Sequence, residues 1–163
     1  MIKIPETIIE EEMIKVLKTV KDNKRKLAFM LGFYQCMRVS EVVKLQPDNI
    51  DYGRKLLMIK QAKGSKDRNI PIAPEVLKGL KYLPVDVGVR ALEISFKKYS
   101  KNVLNKNLHF HSLRHSGATH YLNVKKWNLR QVQVFLGHAR ISTTEIYTHV
   151  NPEELVSVMW AEN

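Results

Sequence analysis

His111-Ser112-Leu113-Arg114-His115, then Leu136-Gly137-His138, then Thr143-Thr144-Glu145-Ile146-Tyr147 lie within residues 107–150, and the segments around them decide the fold. Ser112 can cap a helix that contains Arg114, His115, Ala118 and Tyr121, since a serine hydroxyl accepts an orphan N–H of a first turn. His111 would stand just before that helix and Arg114 in its first turn, both near backbone N–H groups that favour anions. Asn128 to Phe135 has helical character and is stopped by Gly137, with His138 following the stop. Ser142 can cap a short segment bearing Tyr147. A histidine, an arginine, a second histidine and a tyrosine thus follow one another on short helical pieces.

The segments before this stretch read mostly as helices. Apolar residues at Ile8, Ile9, Met13, Val16, Leu17 and Val20 give Thr7–Val20 a helical period, with Glu10, Glu11 and Glu12 suiting the positive end of the helix dipole. Lys24–Met37 is nearly continuously apolar from Leu27 to Cys36, which predicts a helix buried on most sides. Arg38 follows directly, at a junction. Ser40 can cap a third helix over Glu41–Leu45, closed by Pro47-Asp48-Asn49. Leu56–Ile59 and Asn69–Ile72 read as two strands joined by a basic hairpin, whose Gly64-Ser65 pair marks the turn. Proline opens a helix over Pro74–Leu83, and an amphipathic helix with a basic end (Lys97, Lys98, Lys101) spans Val89–Tyr99. Lys101–Asn107 reads as a polar connector. Asn151-Pro152-Glu153-Glu154 opens a terminal helix whose apolar residues run from Leu155 to Trp160. That helix packs on its own core or docks into a neighbouring subunit.

The 163 residues suit one domain with a sizeable core, and 44% hydrophobic content is ordinary for a globular protein. The formal net charge of +11 favours a polyanionic partner, nucleic acid first. The single cysteine, Cys36, excludes an internal disulfide framework and a cysteine-rich zinc module. No apolar run reaches the ~18–20 residues needed to cross a bilayer, and the acidic first 20 positions do not resemble a signal peptide. A cytoplasmic, nucleoid-associated location without membrane contact is expected. His109, His111 and His115 lack the carboxylates and spacing of a metal site, so no metal or cofactor is expected.

Arg38-Val39-Ser40-Glu41, the Lys63-Gly64 hairpin, His111-Ser112-Leu113-Arg114-His115, Leu136-Gly137-His138 and Thr143-Thr144-Glu145-Ile146-Tyr147 together resemble the catalytic domain of the tyrosine recombinases, or phage-type integrases. Each motif alone is weak; their ordered set is specific, and it spans nearly the whole chain. The resemblance implies an α+β, mostly α-helical fold with a small antiparallel β-sheet beside the active site. It implies a single catalytic domain over residues 1–163, without the N-terminal core-binding domain usual in the family. It also implies breakage and rejoining of DNA strands through a covalent 3′-phosphotyrosine, in the manner of type IB topoisomerases.

Carried over by matched motif, Arg38 and Arg114 clamp the scissile phosphate, His111 accepts and returns the proton, and His138 hydrogen-bonds the phosphate. Lys63 protonates the departing 5′ oxygen, and Tyr147 is the nucleophile. Glu41 and His115 support this set from behind. Lys60, Lys66, Arg68 and Arg140 are expected on the DNA. The partners are double-stranded DNA and further copies of the chain, assembled as a tetramer on DNA through the Pro152–Trp160 helix. One departure stands out: Cys36 occupies the place, two before Arg38, where the family usually has glycine.

The chemistry suits these residue types. Two guanidinium forks match the geometry and charge of a pentavalent phosphorane better than lysines do. The phenol, with a pKa near ~10, needs its proton drawn off or its anion stabilised by cations. A positioned ammonium can protonate the leaving alkoxide. The phosphotyrosine conserves the bond energy, so resealing needs neither ATP nor metal. The alternative is a regulator or accessory protein that binds DNA through the same surfaces without cutting it.

Overall fold

The structure is a computed structural model that describes residues 6–60, 67–137 and 152–161. The helices are α1 (Glu10–Thr19), α2 (Asn23–Tyr34), α3 (Val39–Lys44), α4 (Val89–Leu104), α5 (Phe110–Asn123), α6 (Leu129–Leu136) and α7 (Pro152–Met159). The strands are β1 (Ile50–Asp51), β2 (Leu56–Ile59) and β3 (Arg68–Pro71). The expected class, mostly helical with a small antiparallel sheet, is what the chain forms.

Helix α2 is the central post. Leu27, Ala28, Phe29, Leu31, Gly32, Phe33 and Tyr34 are all buried, as an apolar run without a polar face requires. Its principal neighbour is α5, and two glycines let the pair approach. A Cβ on Gly32 would lie 3.0 Å from the Phe110 ring. A Cβ on Gly117 would lie 2.0 Å from the Phe33 carbonyl oxygen and 2.8 Å from Cys36 Sγ, so backbone meets backbone there. This crossing sets the end of α2, and hence Arg38, beside the helix that carries Arg114.

The sheet has the order β1-β2-β3, antiparallel throughout. Leu56 pairs with Pro71 and Ile59 with Arg68, so the basic hairpin leaves and returns at the Ile59–Arg68 end. β3 begins one residue earlier than expected, and Ile72 instead donates its N–H to the Lys55 carbonyl at 2.9 Å. The short β1 was not foreseen.

Other boundaries differ from expectation. α1 starts at Glu10 rather than Thr7, and α2 ends at Tyr34 rather than Met37, because Cys36 turns left-handed just after the Gln35 cap. Residues 74–83 form turns and a 3-10 helix over Leu77–Tyr82, not an α-helix. Their backbone bonds span three residues, as in Gly79 N–H to Val76 O at 2.9 Å, and Gly79 is a poor helix former. α4 continues five residues past Tyr99, with Val103 and Leu104 still packing on the core, and ends on left-handed Asn105 (φ 54°). α5 starts at Phe110, so His111 lies inside its first turn and the cap is His109, whose N–H donates to Ser112 Oγ at 3.0 Å. α3 starts at Val39 with Arg38 as its cap residue, because Glu41 reaches back to the Arg38 N–H at 2.9 Å; Ser40 lies within the helix.

Helix α7 packs on β2 and β3 of its own chain, one of the two placements expected. Leu155 and Met159 are buried, and Trp160 Nε1–H donates to the Ile72 carbonyl at 3.0 Å. Lys55 Nζ sits 3.9 Å above the Trp160 ring. The Tyr121 hydroxyl donates to the Tyr34 carbonyl at 2.7 Å and meets Met159 Sδ at 3.5 Å, joining α7 to α2 and α5.

Candidate active site

The site grows from the end of α2. Gln35 Nε2 donates to the Pro71 carbonyl (2.9 Å), and the Ala73 N–H donates to Gln35 Oε1 (2.6 Å), fixing this end to the sheet. Cys36 then turns left-handed, with φ 51° and its thiol fully buried. The place where the family prefers glycine is therefore a place where the backbone favours glycine. Burial pushes the Cys36 thiol up to about 12, with Arg114 and Arg68 opposing. The turn aims the Cys36 carbonyl at Arg114 Nη1, 2.6 Å away.

Arg114 is only 5% exposed. Its second fork nitrogen, Nη2, donates to the Leu136 carbonyl at 2.9 Å, so one guanidinium ties the ends of α2 and α6 to α5. Burial first, then the charge of Arg38, lowers its pKa to about 10, which leaves it cationic at neutral pH. Arg38 stands opposite with its side chain 47% exposed.

Glu41 lies beside Arg38 and Arg68, its side chain 6% exposed. Burial pushes its carboxyl up, but the hydrogen bond from Arg68, the Arg38 N–H and the charges of Arg68 and Arg114 together hold it below the usual carboxylate range. Arg68 Nη1 approaches Glu41 Oε2 at 3.0 Å, and Arg38 Nη1 approaches the same oxygen at 3.6 Å. Arg68 was expected on DNA; instead its side chain, 13% exposed, turns inward. The reason was legible: Arg68 shares the strand face of buried Ile70, two residues on.

His111 is exposed on the first turn of α5. Partial desolvation there, followed by Arg114, Arg38 and His115, holds its pKa below the ordinary value. The charges of Arg114, Arg38 and His115 all act on His111. His115, expected as a packed supporting histidine, is exposed instead, on the outer face of α5 away from buried Leu113, Arg114 and Ser116. Lys60 is exposed at the hairpin base. Lys63, Lys66, His138, Arg140 and Tyr147 lie outside the described residues, as does the expected Ser142 cap.

The sequence reading missed two contributors, the carbonyls of Cys36 and Leu136. Only the left-handed turns that present such groups leave a trace in sequence, as Gly137 does (φ 76°) after Leu136. Among the described residues, no cluster of three or more metal-binding side chains is present, and no helix is long and apolar enough to cross a membrane.

The sequence model of the phage integrase family matches residues 7–96 and 86–154. The chain is 32% identical over 173 residues to the tyrosine recombinase XerA of Thermococcus onnurineus, covering 93% of this chain and 61% of that protein. It spans about three fifths of the length of the curated relatives it matches. Among solved structures, the integrase of mycobacterium phage Brujita superposes with a TM-score of 0.81 at 19% identity, covering 98% of this chain and 58% of that one. A XerA recombinase superposes at 0.73 with 26% identity, covering 95% and 64%.

Proposed function

The chain belongs to the phage integrase family, and from that premise we propose that it is the strand-transferring domain of a site-specific DNA recombinase. The observation that carries the reading is the buried Arg114, anchored by two carbonyls, on which the charge of the half-exposed Arg38 acts. A protein that only held DNA would gain little from burying a guanidinium. A phosphoryl-transfer site gains an oriented cation whose position costs nothing at the moment of reaction.

In this reading Arg38 and Arg114 bind the non-bridging oxygens of one backbone phosphate. The Tyr147 hydroxyl attacks phosphorus, and His111, whose pKa is lowered by desolvation and then by its cationic neighbours, takes the phenolic proton. The P–O5′ bond breaks as the O–P bond to tyrosine forms, Lys63 gives the 5′ oxygen its proton, and His138 hydrogen-bonds the phosphate. Attack by a 5′ hydroxyl reverses each step. No cofactor enters the balance. We place the protein on intracellular double-stranded DNA, assembled as a tetramer. Exchange of α7 between copies belongs to this proposal; sedimentation on DNA of a chain cut after Asn151 tests it, and an unchanged assembly mass counts against it.

The deciding experiment uses duplexes enriched by binding from fragments of the source genome, with a sulfur bridge at the 5′ position to trap the intermediate. The wild-type chain gives a covalent protein–DNA adduct, and Tyr147→Phe gives none while keeping its DNA affinity. Tight binding by the wild type without any adduct would establish the non-cleaving alternative.

A further inference from the structure

We propose that Arg68 is a positioning residue for strand transfer, which occupies the Glu41 carboxylate and so keeps that carboxylate from capturing Arg38. The inference rests on the strand-transfer reading above and goes beyond it by giving a role to a cation that is turned toward Glu41.

Glu41 sits three residues after Arg38 on α3, a spacing at which side chains of opposite charge meet. It already holds the Arg38 backbone N–H at 2.9 Å. Nothing in the helix prevents the same carboxylate from drawing in the Arg38 side chain. Yet Arg38 Nη1 stands 3.6 Å away and remains half-exposed, while Arg68 Nη1 holds Oε2 at 3.0 Å and Arg68 Nη2 reaches Oε1 at 3.5 Å. The nearer, more buried cation wins the carboxylate, because attraction rises as distance and local dielectric fall. A buried carboxylate deprived of that partner would draw in Arg38, the nearest other cation to it among the described residues.

The placement of Arg68 makes this competition report on the whole site. Arg68 opens β3 at the base of the hairpin that carries Lys63. Its guanidinium also lies against the end of α6, where a Cβ on Gly137 would come within 2.5 Å of Arg68 Nε. Among the described residues that Nε has no hydrogen-bond partner, so the side chain is held by Glu41 and by packing. Hairpin base, α3 and the residue preceding His138 therefore meet on one guanidinium.

The test compares four full-length variants on the trapping duplex. Arg68→Met should slow adduct formation about tenfold or more, with duplex affinity changed less than about threefold. Arg68→Lys keeps the charge but loses the two-pronged grip on Glu41, so its rate should fall between wild type and Arg68→Met. The diagnostic pair is Glu41→Gln and Glu41→Gln/Arg68→Met. With a neutral amide in place of the carboxylate there is nothing to compete for Arg38, so the second change should cost less than about threefold. A tenfold loss in that background overturns the proposal, because Arg68 would then act on the substrate or on the fold. This pair decides the matter even if the single Met variant does not fold. A DNA-free crystal structure of Arg68→Met gives an arm independent of activity: Arg38 Nη1 should close on Glu41 to about 2.8 Å. Arg38 left at its present distance overturns the proposal while leaving strand transfer standing. A wild type that forms no adduct overturns the strand-transfer reading itself.

Discussion

At the scale of single residues, the site depends on a few side chains in unusual backbone or solvent settings. Cys36 is one. Its left-handed φ of 51° costs a non-glycine residue roughly 1 kcal/mol, while its buried side chain offsets a similar amount. Cys36→Gly should therefore change stability by less than about 1 kcal/mol. Cys36→Val, with a branched Cβ at positive φ and Gly117 pressed against it, should lose more than about 2 kcal/mol. Urea unfolding of the two variants checks this; equal losses would mean that the turn is not strained. His111 is the second. Desolvation and the charges of Arg114, Arg38 and His115 push its pKa down, so it keeps the proton-accepting neutral form below its ordinary pKa of 6.5. In Arg38→Ala one repelling cation is gone, and the His111 pKa should rise. An NMR titration of the imidazole measures it directly; an unmoved or lowered value would show that Arg38 and His111 do not share a field. Neither Cys36's turn nor Arg114's carbonyl anchors could be read from residue type, because both depend on where α2 meets α5.

Among the elements, α2 and α6 were legible because an unbroken apolar run and a glycine stop each admit one structure. The stretch 74–83 was not: proline at its start suggested an α-helix, but three-residue bonding around Gly79 won. The termini of α3 and α5 shifted because Glu41 and Ser112 reach back to cap from inside the helix, a pattern that a search for the first serine misplaces. The α2–α5 crossing makes the sharpest structural prediction. Gly117→Ala puts a methyl carbon 2.0 Å from the Phe33 carbonyl oxygen, which backbone cannot yield cheaply. The helices must part, at a cost of about 2–3 kcal/mol or more. Thermal unfolding should show a lowered midpoint, and adduct formation should fall further than folding accounts for, since Arg114 reaches Cys36 across this contact. A variant as stable as wild type would show that the crossing has slack. For α7, the sequence left its docking open because an apolar terminal helix is satisfied by any apolar face. Its indole bond to Ile72 and its seat on Tyr121 are tertiary facts.

For the whole molecule, the net charge of +11 is far more than the six or so residues of the site explain. Part of the remainder is concentrated along the exposed side of α4, where Lys97, Lys98 and Lys101 line a shallow groove with Ile94, Asn102 and Asn107. The chain passes from the end of α4 into α5 within a few residues. A duplex held at Arg38 and Arg114 needs phosphates neutralised along its length, and binding that releases counterions weakens by about 0.9 in log–log slope per phosphate contact. Replacing the three lysines by alanine should therefore lower the slope of log affinity against log salt by about two to three. It should leave the melting temperature almost unchanged, because all three side chains are exposed. Fluorescence anisotropy from low to moderate salt measures the slope. If the slope stays at its wild-type value, the lysine face lies off the duplex, and the surplus charge of the molecule must meet DNA from the hairpin side alone.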